Sequence, residues 1–333
     1  METKILEATA ENIARAGRIL AEGGLVAFPT ETVYGLGADA MNPEAVKAVY
    51  AAKGRPSDNP MICHIARASD IGQLTNELSP DIVKLIDNFW PGPLTLVLPK
   101  KPEVPDTTTG GLKTVAVRMP DSEIALALIR EAGTAIAAPS ANLSGKPSPT
   151  RYEHCVHDLN GKVDAIIKGP ECRVGIESTV LDLSEGEPTV LRPGLITPED
   201  IEAVLERPVK YDKALFQKPS EDPDFKPKAP GMKYRHYAPK AEMTVLEGRP
   251  DRVRAEIERL KALNEGIGNK VGVILFEEKA FREAAHELFD RLREMDDQNV
   301  DMILAGALSD TDGVGFAVMN RMLKSAGYNI VRV

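Results

Sequence analysis

Residues 24–39 read GLVAFPTETVYGLGAD, and the rest of the chain is organised around them. The apolar run at 25–28 reads as a buried strand. Pro29 stops it, because proline has no N–H to give a ladder. Thr30 and Thr32 follow with Glu31 between them, then Tyr34, Gly35 and Gly37. Glycines allow backbone to come close to another group. A strand that ends in hydroxyls and glycines gathers donors at one sheet edge, which is where ligands sit in open α/β sheets. A plain strand followed by a tight turn would read the same way, so neighbouring loops must decide.

The chain has 333 residues, enough for two domains with their own cores. A hydrophobic share of 43% and a charged share of 27% are those of an ordinary globular protein. The sequence shows no apolar run of membrane-spanning length and no signal-peptide core near residues 1–17. Cys63, Cys155 and Cys172 are odd in number and form no CxxC pair, which fits a reduced cytoplasmic protein. The net charge of −9 argues against a module that grips nucleic acid through its phosphates. It leaves room for a local basic cleft that takes a small anion.

Several loops around the opening stretch carry polar chemistry. A helix over 11–22 ends at Gly23-Gly24, and a second is expected over 43–52, opened by Pro43. The second runs into KGRPSDNP, where Lys53 and Arg55 flank Gly54. This is either a solvated basic turn or a phosphate clamp, and it is not a Walker loop, since no GxxxxGK[ST] occurs. A strand over 61–65 carries His64, which could be a satisfied core histidine or a site residue. A helix over 80–89 leads through WPGP into a strand over 94–98, with Trp90 expected in the core. Residues 102–113 are a Thr/Gly-rich loop. The strand over 115–119 carries Arg118, and a buried arginine needs an anionic partner, which a substrate carboxylate would supply. After a helix over 122–132, a strand over 135–138 opens into PSANLSGKPSPT, residues 139–150, with Ser140, Asn142 and Ser148 among turn-forming prolines. HCVH at 154–157 matches no standard zinc spacing.

Strands are expected over 163–168 and 189–191, and GIESTVLDL at 175–183 reads as a glycine-led turn into another, with a helix over 198–205. Prolines then recur among charges from 209 to 240, which marks a linker. Inside it lies APGMKYRHYAP, residues 229–239, too rich in aromatic and basic side chains for a tether and suited to lie over a ligand site. Residues 241–333 alternate strand and helix, the pattern of a small parallel-sheet α/β domain without a GxGxxG fingerprint. No internal repeat is visible.

Taken in order, PTETVYGLGAD, KGRPSDNPMICHI, FWPGPLTLVL, VAVRMP, APSANLSGKPSPT, GIESTVLDL and LRPG closely resemble the YrdC-like threonylcarbamoyl-AMP synthases. APGMKYRHYAP and the C-terminal segment that includes AVMNRM resemble the long two-domain form of that family. The resemblance implies an α/β protein: an open, twisted mixed-sheet catalytic domain over 1–208 and a smaller Rossmann-like domain over 241–333. Between them, a linker over 209–240 would fold across the cleft. It implies the joining of L-threonine, bicarbonate and ATP into L-threonylcarbamoyladenylate and pyrophosphate, for N6-threonylcarbamoyladenosine in tRNA. Thr32, His64, Arg118, Ala138 and Ser178 would hold threonine. Arg55, Asn59, Thr114, Ser140, Ser148, Arg192 and Tyr234 would hold ATP, with Asn142 a further contact. Lys53 and Arg55 would be the catalytic cations. Magnesium would arrive with the nucleotide and not on protein ligands. The product would pass to a tRNA threonylcarbamoyltransferase, with no stable nucleic-acid binding and no membrane. Two other readings are a carbamoyl-transfer enzyme with another acceptor and a non-catalytic RNA-binding protein.

Overall fold

The computed structural model describes residues 2–216, 227–228, 236–308 and 313–333. Tyr234 lies outside the described residues. Among them, eleven strands form one twisted mixed sheet and four form a second, parallel one.

The chain opens on β1 (Lys4–Glu7), which the sequence reading did not expect, and enters α1 (Ala10–Ala21). Thr9 caps that helix, and Ile13, Ala16 and Leu20 bury its apolar stripe. The opening stretch then forms two strands: β2 (Val26–Phe28) and β3 (Gly35–Asp39) pair antiparallel, Val26 facing Gly37 and Phe28 facing Gly35. The second strand was read as a loop because glycine is a weak strand former. Here glycine supplies space: a Cβ on Gly37 would stand 2.8 Å from Ile136 and 2.9 Å from the Phe28 ring.

α2 (Pro43–Lys53) starts at the Asn42 cap and stops at Gly54, whose φ of 63° turns the chain sharply between Lys53 and Arg55. β4 (Ile62–His64), α3 (Pro80–Phe89) and β5 (Leu94–Pro99) follow. A short α4 (Asp106–Thr109) lies in the Thr/Gly-rich loop before β6 (Thr114–Arg118). α5 (Glu123–Ala132) packs against α1, and β7 (Ile136–Ala137) feeds the long Ser/Pro loop. Then come α6 (Tyr152–Leu159), β8 (Ala165–Lys168), β9 (Thr179–Asp182), β10 (Thr189–Arg192) and α7 (Pro198–Leu205). β11 (Lys210–Tyr211) pairs with β10, so the sheet takes up two residues of the proline-rich stretch. The sheet order is β1-β8-β2-β3-β7-β4-β6-β5-β9-β10-β11.

The second sheet holds β12 (Glu242–Glu247), β13 (Val271–Ile274), β14 (Met302–Gly306) and β15 (Ile330–Arg332), in the order β13-β14-β12-β15. Its crossovers are α8 (Pro250–Gly266), α9 (Phe281–Asp297) and α10 (Val314–Ser325). The two bodies share a core, because Val33 and Ile176 are buried among Phe289, Ile303 and other side chains of the second. Arg293 of α9 donates to Asp158 at 2.9 Å, and Arg151 reaches Asp290 at 2.8 Å. Among the described residues, no helix is long and apolar enough to cross a membrane.

Gly175 sits in this contact with φ +82°, and a Cβ there would fall 2.4 Å from the His286 Cα. Gly175→Ala is therefore expected to lower thermal stability by about 1–3 kcal/mol, from backbone strain and forced separation of the two bodies. A melting temperature equal to wild type would show that the contact yields without cost.

Candidate functional site

The loops that leave the strand ends enclose a cleft of about 750 Å³, counting space open to solvent. Five residues expected around threonine, Thr32, His64, Arg118, Ala138 and Ser178, all line it. So do Lys53, Arg55, Ser140, Asn142 and Arg192 from the expected nucleotide set. Asn59, Thr114 and Ser148 do not. Asn59 is buried with its carbonyl accepting from the Tyr50 hydroxyl at 3.1 Å and from Arg55 at 3.3 Å, so it shapes Arg55 from behind. Thr114 begins β6 opposite Pro99. Ser148 is fully buried and donates to Glu177 at 2.6 Å.

One end of the cleft is built on Arg118. β4 and β6 are parallel neighbours with His64 opposite Arg118, so the sheet register itself sets these two side by side. The Arg118 Nε donates to Gly92 O at 3.1 Å and one terminal nitrogen donates to Thr32 Oγ1 at 2.9 Å. The other terminal nitrogen lies 2.6 Å from Glu31 Oε1. Arg118 thus has an anionic partner within the protein, Glu31, besides any that a substrate would bring. Glu31 was overlooked because it meets Arg118 only through the fold. The pair is close but not aligned: neither that nitrogen nor either Glu31 oxygen makes a hydrogen bond. Arg118 therefore keeps donor capacity for a second anion. His64 is pushed down to about 3 by burial and then by Arg118, so it is neutral at physiological pH. Its Nδ1 lies 3.2 Å from Ile62 O, and a proton on Nδ1 would leave Nε2 to accept.

The other end is cationic. Burial pushes Arg55 and Arg192 down to about 10, which leaves both charged at neutral pH. Arg192 donates to Ser178 O at 3.0 Å and to Ser178 Oγ at 3.2 Å. Ser178 Oγ also bonds to Thr95 Oγ1 at 2.8 Å, so the serine is held from two sides. Lys53 is buried with its ammonium on the carbonyls of Ser140 and Asn142. Glu177, the second acid the sequence reading passed over, stands at the back of this end. Burial alone would raise its carboxyl, but Arg321 and Arg192 outweigh that and hold it below the usual range. His236 and Tyr237, from the aromatic segment before β12, close one side of the cleft, with Tyr237 packed on Phe289. A cleft lined by Arg118, Arg55 and Arg192 suits a ligand pair carrying a carboxylate and phosphates.

Comparison with known proteins gives the same direction. The Sua5_yciO_yrdC family model, described as telomere recombination, matches residues 18–194. The model described as threonylcarbamoyl-AMP synthase, C-terminal domain, matches residues 196–327. A threonylcarbamoyl-AMP synthase of Pyrococcus abyssi is 50% identical over 96% of this chain and 95% of its own. One of Bacillus subtilis is 49% identical over 96% of this chain and 94% of its own. The crystal structure of P. abyssi Sua5 complexed with L-threonine superposes with a TM-score of 0.93 at 48% identity, covering 99% of this chain and 100% of that one.

Proposed function

Because the chain belongs to the Sua5/YrdC family of threonylcarbamoyl-AMP synthases, we propose that its cleft makes L-threonylcarbamoyladenylate and pyrophosphate from L-threonine, bicarbonate and ATP. The observation that carries this reading is that Arg118, Arg55 and Arg192 line one cleft, with Ser178 beside them accepting from Arg192 through both its oxygens. Two substrates bound in that cleft would meet.

Threonine lies with its carboxylate on Arg118 and Thr32, and the neutral His64 accepts from its hydroxyl or amine. The amine and bicarbonate give N-carboxythreonine and water. The new carboxylate attacks the α-phosphate of ATP, and pyrophosphate leaves. Arg55 and Arg192 stabilise the charge that spreads over the phosphates, so most of the acceleration comes from positioning and fixed charge. No protein nucleophile takes part. Magnesium is part of the MgATP substrate in this scheme: Glu177, the acid in the cleft lining, is paired with Arg321. The adenylate then goes to a separate tRNA threonylcarbamoyltransferase in the cytoplasm, where Cys63, Cys155 and Cys172 stay as free thiols. With a net charge of −9 the chain does not hold nucleic acid stably.

The test is pyrophosphate release from MgATP and bicarbonate, with and without L-threonine. Release that needs threonine and is poorly supported by serine is expected. Equal release without threonine, or none from folded protein that binds ATP, would overturn the reading.

A further inference from the structure

Arg321 lies in the second body, on α10, yet among the described residues it is the largest side chain with no solvent exposure. A guanidinium that far from water is tolerated only with its donors engaged. Its Nε reaches Glu177 Oε2 at 3.2 Å. One terminal nitrogen donates to Pro193 O and to Ala317 O, and the other to Glu177 O at 3.4 Å. One side chain of the second body thus holds two loops of the first.

The positions it holds matter. Glu177 precedes Ser178, and Pro193 follows Arg192. Ser178 and Arg192 both line the cleft and are bonded to each other, whereas Arg321 does not line it. Glu177 also takes the Ser148 hydroxyl at 2.6 Å, so the same carboxylate anchors the end of the Ser/Pro loop. Simple docking of the two bodies does not need this contact. Arg293 with Asp158, Arg151 with Asp290, and the shared apolar core already join them.

Resting on the synthase reading, we propose that Arg321 is a positioning residue for that reaction. It sets the Ser178–Arg192 pair in the cleft, and through it the second domain contributes to the site. The second body is then part of the working geometry and not an appended module.

The experiment compares full-length wild type with Arg321→Lys, Arg321→Met and the double variant Arg321→Met/Glu177→Gln. ATP dissociation constants by calorimetry, KM and kcat from threonine-dependent pyrophosphate release, and melting temperature are read on each. Arg321→Met strands the buried Glu177 charge and is expected to melt earlier. The double variant removes both charges and should recover part of the lost melting temperature. The affinity for ATP should stay roughly ten- to hundredfold weaker in both, because neither holds the Pro193 and Glu177 carbonyls. Arg321→Lys keeps the charge but not the fork, so a stable protein with weakened ATP use is expected. Wild-type ATP constants and turnover in the folded double variant would make Arg321 a purely structural residue and overturn the inference. A wild type that binds ATP but releases no pyrophosphate with threonine would instead overturn the synthase reading, and the inference with it.

Discussion

Arg118→Ala is expected to reduce threonine-dependent turnover by about a hundredfold or more while KM for ATP moves little. Two physical losses add here. The first is the charge-assisted hydrogen bond to the substrate carboxylate, worth roughly 1.5–3 kcal/mol, or about ten- to hundredfold in affinity. The second is local order: Arg118 is 3% exposed and holds Gly92 O and the Thr32 hydroxyl, so its removal frees the loop that carries Thr32. The alanine also leaves Glu31 buried without its cation, which costs about 3–5 kcal/mol of stability in a typical buried pair. Unfolding could then mimic lost binding. Arg118→Met/Glu31→Gln controls for this, since it retains volume and strands no charge. That protein should melt near wild type and still fail to use threonine. A folded double variant with wild-type threonine dependence would remove Arg118 from the carboxylate site.

The same residue shows what could be read from sequence and what could not. Short continuous apolar runs gave most strands of both sheets, since strands covered on both faces are buried throughout. β3 was missed because Gly35 and Gly37 are there for the Phe28 ring and for Ile136. β1 and β11 were missed because only Leu6 of the first and neither residue of the second is buried, so no apolar run marks them. Side chains expected at the site from loop chemistry and family resemblance do line one cleft for Thr32, His64, Arg118, Ser178 and Arg192. Their supports were not legible. Glu177 and Arg321 are 144 residues apart, and nothing local in GIEST or in AVMNRM says that one acid and one base will meet. A charged residue among apolar neighbours is the available signal: Arg321, between Met319 and Met322 in α10, carried it, whereas Glu31 stands between two threonines. It marks a residue that must find a partner without naming the partner.

Lys53 is the cation whose loss should reach furthest on the nucleotide side. It ends α2 at 3% exposure, just before the left-handed turn at Gly54. Its ammonium holds Ser140 O and Asn142 O, and its own carbonyl accepts from Ser144 N at 2.9 Å. Burial first, and then the Arg55 charge, hold its pKa well below the ordinary lysine value. The lysine therefore ties the Ser/Pro loop over the end of α2 and lays Ser140 and Asn142 along the cleft. Lys53→Met keeps most of the stem volume but leaves two carbonyls without a donor, at about 1–3 kcal/mol each where they stay buried. ATP turnover is expected to fall by about a hundredfold, the scale of a small misplacement in a site that works by positioning. Threonine binding should change by much less, because Thr32, His64, Arg118 and Ser178 rest on other strands and loops. Calorimetry with each ligand separates the two effects. Threonine affinity lost in step with ATP affinity would mean that the loop tied down by Lys53 supports the whole cleft and not its phosphate end.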